Sequence, residues 1–404
     1  MNSTILHLDL DTFFVSCERL INPKLLKRPV LVGGTGDRGV VSACSYETRP
    51  YGIRSGIPMK LARQLCPEAT VIKGNAGVYM EFSDMVTEII ADSVPLFEKA
   101  SVDEFYVDLT GMDKYFGCYR YATELRNTII EKTRLPISFG MSSNKITSKV
   151  ATSVAKPNNQ IMVDYGLEKQ FLAPLSIQRI PSVGGKTYQT LRSLGITKVK
   201  TIQEMPLEML TSALGLHGRT IWRRANGIDR PQLVPFHDRH SISTERTFKD
   251  TSKINFLHAT LTAMAENLAF SLRRGNKLTS CISVRIRYSD FSTYSKQMKI
   301  PYTSGDHIIV PKVLELFEKL YERRMLLRLV GVKVSNLASG NYQINLFEDT
   351  EEMLRLYNAM DRMRIKYGEN KVIRAASMGG AKSIGRHYNA FNGQPPMVLA
   401  HRTQ

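Results

Sequence analysis

Thr4-Ile5-Leu6-His7-Leu8-Asp9-Leu10-Asp11 stands near the start of the chain. In an extended strand successive side chains alternate, so Leu6, Leu8 and Leu10 point one way and His7, Asp9 and Asp11 the other. A strand of this kind seals a core with one face and offers carboxylates with the other. A second acidic stretch, Ala100-Ser101-Val102-Asp103-Glu104-Phe105-Tyr106-Val107-Asp108, sets Asp103 and Glu104 just before a strand-like run at 105–109. Carboxylates gathered at strand ends can hold two Mg²⁺ ions about 3.5–4 Å apart. Hard oxygen ligands suit Mg²⁺, which keeps some waters and takes further ligands from substrate phosphates. For any single Asp beside a strand, a polar loop is the simpler reading. The sequence around the set decides.

Outward from these segments, 29–33 and 39–43 read as short strands about the turn Gly33-Gly34-Thr35-Gly36. Helical spacing is found near 58–66, 77–94, 119–133 and 143–154, and Pro136 to Met141 forms a strand. Strands and helices mix without a regular βαβ repeat, so the fold class is α+β. Residues 166–235 are short helical pieces broken by glycine. Residues 241–347 change character: Ile282, Val284, Ile286 and Tyr288 alternate with Ser283, Arg285 and Arg287, giving a sheet with an apolar back and a basic front. Val330, Val332 and Val334 repeat the pattern. Helices at 256–274 and 311–324 would back this sheet. A helix at about 350–367 and a polar tail follow.

The 404 residues suit two to four domains. No apolar run spans a bilayer and no secretory leader is expected, so the chain reads as cytoplasmic. Its five cysteines are scattered and odd in number, which fits reduced thiols and neither a disulfide framework nor a zinc site. The formal net charge is +18, of which residues 1–180 carry only +2 and residues 241–347 carry +8. So lopsided an excess fits an acidic polymer, because Lys and Arg release counterions from a phosphate backbone.

Four motifs in order resemble the Y-family DNA polymerases, the bacterial polymerase IV branch in particular. Leu8-Asp9-Leu10-Asp11-Thr12-Phe13-Phe14 with Glu18 resembles the first metal motif, and Ser101-Val102-Asp103-Glu104 the second. Ser45-Tyr46-Glu47-Thr48-Arg49-Pro50-Tyr51-Gly52-Ile53 resembles the nucleotide-binding segment, and Val154-Ala155-Lys156-Pro157-Asn158 the lysine motif of the palm. The resemblance implies a multidomain right-hand polymerase: palm and fingers over 1–165 (fingers about 12–73), a helical thumb over 166–235, an added α/β little finger over 241–347, and a C-terminal extension over 348–404.

It further implies template-directed, low-fidelity DNA synthesis in lesion bypass, with two Mg²⁺ ions for which Mn²⁺ can substitute. Asp9 and Asp103 would bind both metals, Glu104 would complete the ion at the primer terminus, and Leu10 would lend a carbonyl. Asp11 is not expected to be a ligand. Phe13 and Phe14 would lie at the nucleotide, with Phe14 as the steric gate against a 2′-hydroxyl. Tyr46, Arg49 and Lys156 would clamp the triphosphate, arginine as a planar fork and lysine as a point charge. One departure is Ala43, where many relatives carry a hydroxyl. Small residues at Val41 and Ser42 suit a tolerant pocket.

Val183-Gly184-Gly185-Lys186 resembles a helix-hairpin-helix whose amides meet a DNA phosphate, although Ser182 replaces the usual first glycine. Leu214 to Gly218 is a weaker candidate. Arg285 and Arg287 would grip DNA phosphates. Gln343, Leu346 and Phe347 resemble a bacterial sliding-clamp-binding peptide. The expected partners are primer-template DNA, deoxynucleoside triphosphates and the clamp; no membrane is expected, and the chain is expected to act as a monomer. Two other readings are a polymerase V-like subunit that needs partners, suggested by the C-terminal extension, and a non-catalytic adaptor of the same family.

Overall fold

The structure is a computed structural model and describes residues 3–36, 38–112, 117–229, 232–235, 239–323, 325–340, 350–368 and 371–380. Ile5–Leu10 forms strand β1, and its faces separate as the alternation requires. Leu6, Leu8 and Leu10 are buried in the largest apolar core of their unit, while His7 and Asp9 turn toward the helix that carries Thr152.

The elements that follow are helix α1 (Phe13–Ile21), strands β2 (Val30–Gly33) and β3 (Val41–Cys44), helix α2 (Met59–Leu65), strand β4 (Thr70–Ile72) and helix α3 (Ala76–Ser93). Next come β5 (Phe97–Lys99), β6 (Glu104–Asp108), α4 (Cys118–Thr133), β7 (Ile137–Ser142), α5 (Lys145–Ala155) and β8 (Gln160–Met162). One sheet has the order β5-β6-β1-β7-β8, so β1 is central, antiparallel to both β6 and β7. Val86 and Ile90 of α3 and Leu125 and Ile129 of α4 cover its leucine face. On the other face α5 lies very close, because β7 carries Gly140 where it crosses: a Cβ there would stand 2.3 Å from the Ser148 carbonyl oxygen and 2.4 Å from the Thr152 nitrogen. A small sheet of order β3-β2-β4 has its own core of Leu31, Val41, Ile53 and Met59.

Short helices α6 (Glu168–Leu172), α7 (Gly185–Ser193), α8 (Val199–Glu204), α9 (Leu207–Leu214) and α10 (Leu216–Ala225) enclose a further core around Leu191, Ile202, Leu210 and Ile221. All of these belong to one compact unit, Met1–His237.

A second compact unit begins at Asp238 and runs to His387. It holds β9 (Ser241–Thr251), α11 (Ile254–Arg274), β10 (Lys277–Tyr288), β11 (Thr293–Thr303), α12 (Asp306–Glu318), β12 (Leu327–Ser339) and α13 (Thr350–Tyr367). The sheet is antiparallel with order β11-β10-β12-β9. Ile282, Val284, Ile286, Val330, Val332 and Val334 pack against Leu261, Leu268, Val313 and Phe317 of α11 and α12, the apolar back the alternation requires. The strands not anticipated, β9 and β11, are the edges, where exposure on both faces erases the apolar period. The helix expected from 311 begins at Asp306 and accommodates Pro311 inside.

Helix α13 and residues 371–380 are built into this second unit. Arg273 of α11 reaches Asp361 of α13 at 2.6 Å and the fully buried Asp306 at 2.7 Å. Glu266 takes Arg374 at 3.1 Å and Arg364 at 3.9 Å. The Tyr357 hydroxyl accepts the His307 backbone N–H at 3.0 Å. All five cysteines are buried, and none is joined in a disulfide. Among the described residues no helix is long and apolar enough to cross a membrane.

Candidate active site

Strand register brings the acidic residues together. Asp9 on β1 faces Glu104 on β6 and Ser138 on β7. The Leu10 N–H donates to the Asp103 carbonyl at 2.9 Å, which fixes the 101–104 turn beside the end of β1. The Ser101 hydroxyl donates to the Asp103 carboxylate at 2.5 Å and accepts the Glu104 N–H at 3.0 Å. Helix α5, seated by Gly140, presents two lysines from the other side: Lys149 lies 2.5 Å from Glu104 Oε2, and Lys156, at the helix C-cap, 2.5 Å from Asp9 Oδ1.

Burial pushes the Asp9 carboxyl up to about 7, against the pull of Lys156 and with a further push from Glu104 and Asp103. Burial likewise raises Asp103. Burial would also raise Glu104, but His7 and Lys149 outweigh it and hold the group down at about 2. Of these two, His7 Nε2 stands 3.9 Å away, beyond hydrogen-bond reach, and the buried His7 is itself driven down to about 4 and stays neutral. The direct Lys149 pair is therefore the physical anchor of the Glu104 charge. Crowded, dehydrated carboxylates of this kind demand cations. Their hard oxygens suit Mg²⁺, and in the structure two lysines meet part of the demand. Among the described residues no three acidic or imidazole groups form a ready-made metal cage.

Asp9, Leu10, Phe14, Arg49, Asp103 and Lys156 line one open cleft of about 510 Å³. Glu104 does not line it and is turned to Lys149. Asp11 is buried and fully engaged: it accepts from the Ser138 hydroxyl at 2.8 Å, the Asn158 N–H at 2.5 Å and the Tyr46 hydroxyl at 3.3 Å. It ties β1, β7 and the 156–158 turn together.

Thr12 stands in the left-handed region at φ 44°, unusual for a β-branched residue, and turns the chain from β1 into α1 so that the helix opens on the cleft. Phe13 is buried in the core, and Phe14 is partly buried against Tyr79. The Arg49 guanidinium stacks over the Tyr46 ring at 4.1 Å, and its buried Nε has no hydrogen-bond partner among the described residues. Burial raises the Tyr46 hydroxyl, which stays protonated.

Sequence reading missed Arg54, Ser55 and Lys149. Arg54 lines the cleft and donates to the Arg49 carbonyl at 3.1 Å; a cation five residues past Arg49 was its only signal. Lys149 lies seven residues, two helical turns, before Lys156, and that spacing on a helix face could have revealed it. Ser42, Ser55 and Thr12 supply hydroxyls around the position where Ala43 lacks one.

The turn before α7 holds Ser182 at φ 73°, the conformation that makes glycine usual there, and Arg224 pins the Ser182 hydroxyl at 2.6 Å. Nothing stands close around Gly184 or Gly185. The weaker candidate is a packing site: a Cβ on Gly218 would meet the Leu210 carbonyl oxygen at 2.2 Å, so this glycine lets α10 touch α9. In the second unit Arg285 is paired with Glu245 at 2.6 Å, and Arg287 donates to the Thr293 hydroxyl at 2.8 Å. Gln343, Leu346 and Phe347 lie outside the described residues.

The impB/mucB/samB family model matches residues 8–153, and the model of that family's C-terminal domain matches residues 239–346. A DNA polymerase IV of Dehalococcoides mccartyi is 37% identical over 91% of this chain and 96% of its own length. A DNA polymerase IV of Treponema denticola is 34% identical over 90% of this chain and 94% of its own. Among solved structures, a Y-family DNA polymerase chimera of Dbh and Dpo4 superposes with a TM-score of 0.73 over 83% of this chain and all of its own, at 23% identity, a likeness of fold. Two matched domains and relatives similar over nearly their whole length leave one assignment: the chain belongs to the Y family of DNA-directed DNA polymerases.

Proposed function

We propose that this chain extends a primer 3′ end by a two-metal mechanism, with low fidelity, in translesion synthesis. The observation that supports it is the convergence of Asp9, Asp103, Arg49, Lys156 and Phe14 on a single cleft. Arg49, with an unspent Nε, and Lys156 would hold the triphosphate beside Tyr46. Phe14 would stand under the sugar. Asp9 and Asp103 would hold two Mg²⁺ ions, Glu104 the ion at the primer terminus, and Leu10 would add its carbonyl. When bound, such ions supply activation of the 3′-hydroxyl and neutralisation of the leaving pyrophosphate. Lys156 would then exchange Asp9 for a phosphate, and Lys149 would keep Glu104 ionised.

On this reading the first unit comprises palm, fingers and thumb, and the second the little finger, with Arg285 and Arg287 on its DNA face and residues 183–186 at a phosphate. Small residues at Ser42 and Ala43 leave room for a distorted base pair. Gln343, Leu346 and Phe347 would bind a sliding clamp, the chain acting as a cytoplasmic monomer. A non-catalytic adaptor would have no use for the three carboxylates, all of which are present. A polymerase V-like subunit is the other reading within the family, and it predicts that the chain alone is inactive.

The test is primer extension by the purified chain. Extension should require Mg²⁺ or Mn²⁺ and cease in Asp103→Ala; extension that survives the substitution refutes the assignment. Deleting residues 343–347 should abolish stimulation by a bacterial clamp and spare basal synthesis.

A further inference from the structure

The hairpin between β10 and β11 carries an unexpected residue. The Phe291 N–H donates to the Tyr288 carbonyl at 3.1 Å, and the Tyr288 N–H donates to the Ser292 carbonyl at 3.0 Å. Phe291 therefore closes a tight turn, and it does so in the left-handed region at φ 69°. That position in a hairpin is one glycine takes without strain and a bulky side chain does not. The residue is also 65% exposed. Phenylalanine is thus disfavoured twice, by backbone and by solvent, and an outlier of this kind points to use.

The surroundings indicate the use. The Arg328 guanidinium lies 3.7 Å from the Phe291 ring centre, and Arg323 lies 4.8 Å from that of Tyr294, itself 38% exposed. Asp290, the one acid in the turn, accepts from the Ser292 N–H and hydroxyl, each at 2.8 Å, and also feels the charge of Arg323, which leaves Arg328 as the cation beside the Phe291 ring. A purely apolar protein partner would have to strip water from both guanidiniums. An unpaired nucleotide uses both features: its base stacks on the open face of the ring while its phosphate meets arginine.

We propose that Phe291, backed by Arg328, is a stacking platform for an unpaired base of single-stranded nucleic acid at the tip of this hairpin. The platform goes beyond the sequence-independent phosphate contacts proposed for Arg285 and Arg287, and rests on the reading of this sheet as a DNA face.

The experiment measures the affinity of the full chain for a short oligothymidine strand and for a blunt duplex over a salt series. Phe291→Gly, which suits the turn, should weaken single-strand binding about 5- to 100-fold. Its duplex affinity should not change. Nor should its salt slope, because a phenyl ring neutralises no phosphate. Phe291→Trp should keep single-strand affinity. Wild-type single-strand binding by Phe291→Gly, or an equal loss on duplex, overturns the platform. Should Phe291→Gly misfold, Phe291→Asn, also tolerant of this backbone, gives the same decision. An Arg285→Ala/Arg287→Ala double variant separates the two readings: unchanged duplex binding there defeats the DNA-face reading without touching the single-strand result.

Discussion

Phe14 lies face to face on Tyr79, with ring centroids 4.5 Å apart and planes 15° apart, and the Tyr79 hydroxyl donates to Glu18 at 2.5 Å. The gate proposed for Phe14 requires a ring that cannot move, and this stack restrains it. Phe14→Val should lower the preference for deoxy- over ribonucleotides between about 10- and 200-fold, the range a lost steric contact gives. Tyr79→Ala should relax the same ratio by less. The check is kcat/KM for matched nucleotide pairs, and unchanged ratios in both variants retire the gate.

The raised Asp9 carboxyl sets a pH dependence. An unfolded Asp releases its proton near pH 4, whereas the folded group keeps it until about 7. Between those values the folded state holds the extra proton, so rising pH destabilises it, and the penalty is complete above 7. Without added metal, the melting temperature of Asp9→Asn relative to wild type should climb from pH 4 to pH 7 and then level off. A flat difference across that window contradicts the burial argument.

Arg273 joins two carboxylates where solvent barely reaches, its side chain 8% exposed and that of Asp306 fully buried. Removing one partner from such a set strands the others, at about 3–5 kcal/mol. Arg273→Ala should lower the urea midpoint accordingly, and a chain ending before α13 should lose stability in the second unit. Arg120→Ala, which breaks an exposed pair with Glu124, should change stability by less than about 1 kcal/mol.

Gly140→Ala would drive a methyl into the backbone of α5. The expected cost is about 1–3 kcal/mol. Because α5 aims Lys149 and Lys156, primer extension should fall in the folded protein as well. Full activity with normal stability would show that the helix does not set the lysines.

The legible part of this molecule was written in local pattern. The two-residue period of 4–11 placed Asp9 on β1. The alternation at 281–288 placed Ile282, Val284 and Ile286 on the buried face of β10 and Arg285 on the other. Motif order then gathered Tyr46, Arg49, Phe14 and Lys156, of which all but Tyr46 line the cleft. What stayed hidden depends on contacts between distant segments. Lys149 gains meaning from Glu104, Tyr79 from Phe14, and Asp361 from Arg273, 88 residues away. Phe291 reads as an ordinary residue until its positive φ is seen.

The central strand also makes the gene intolerant in a particular way. β1 gives Leu6, Leu8 and Leu10 to the core and Asp9, one residue out of phase, to the cleft. Inserting or deleting a single codon within it would exchange the two faces, putting leucine into the cleft and aspartate into the oil. The length of β1 is therefore as constrained as its buried residues are.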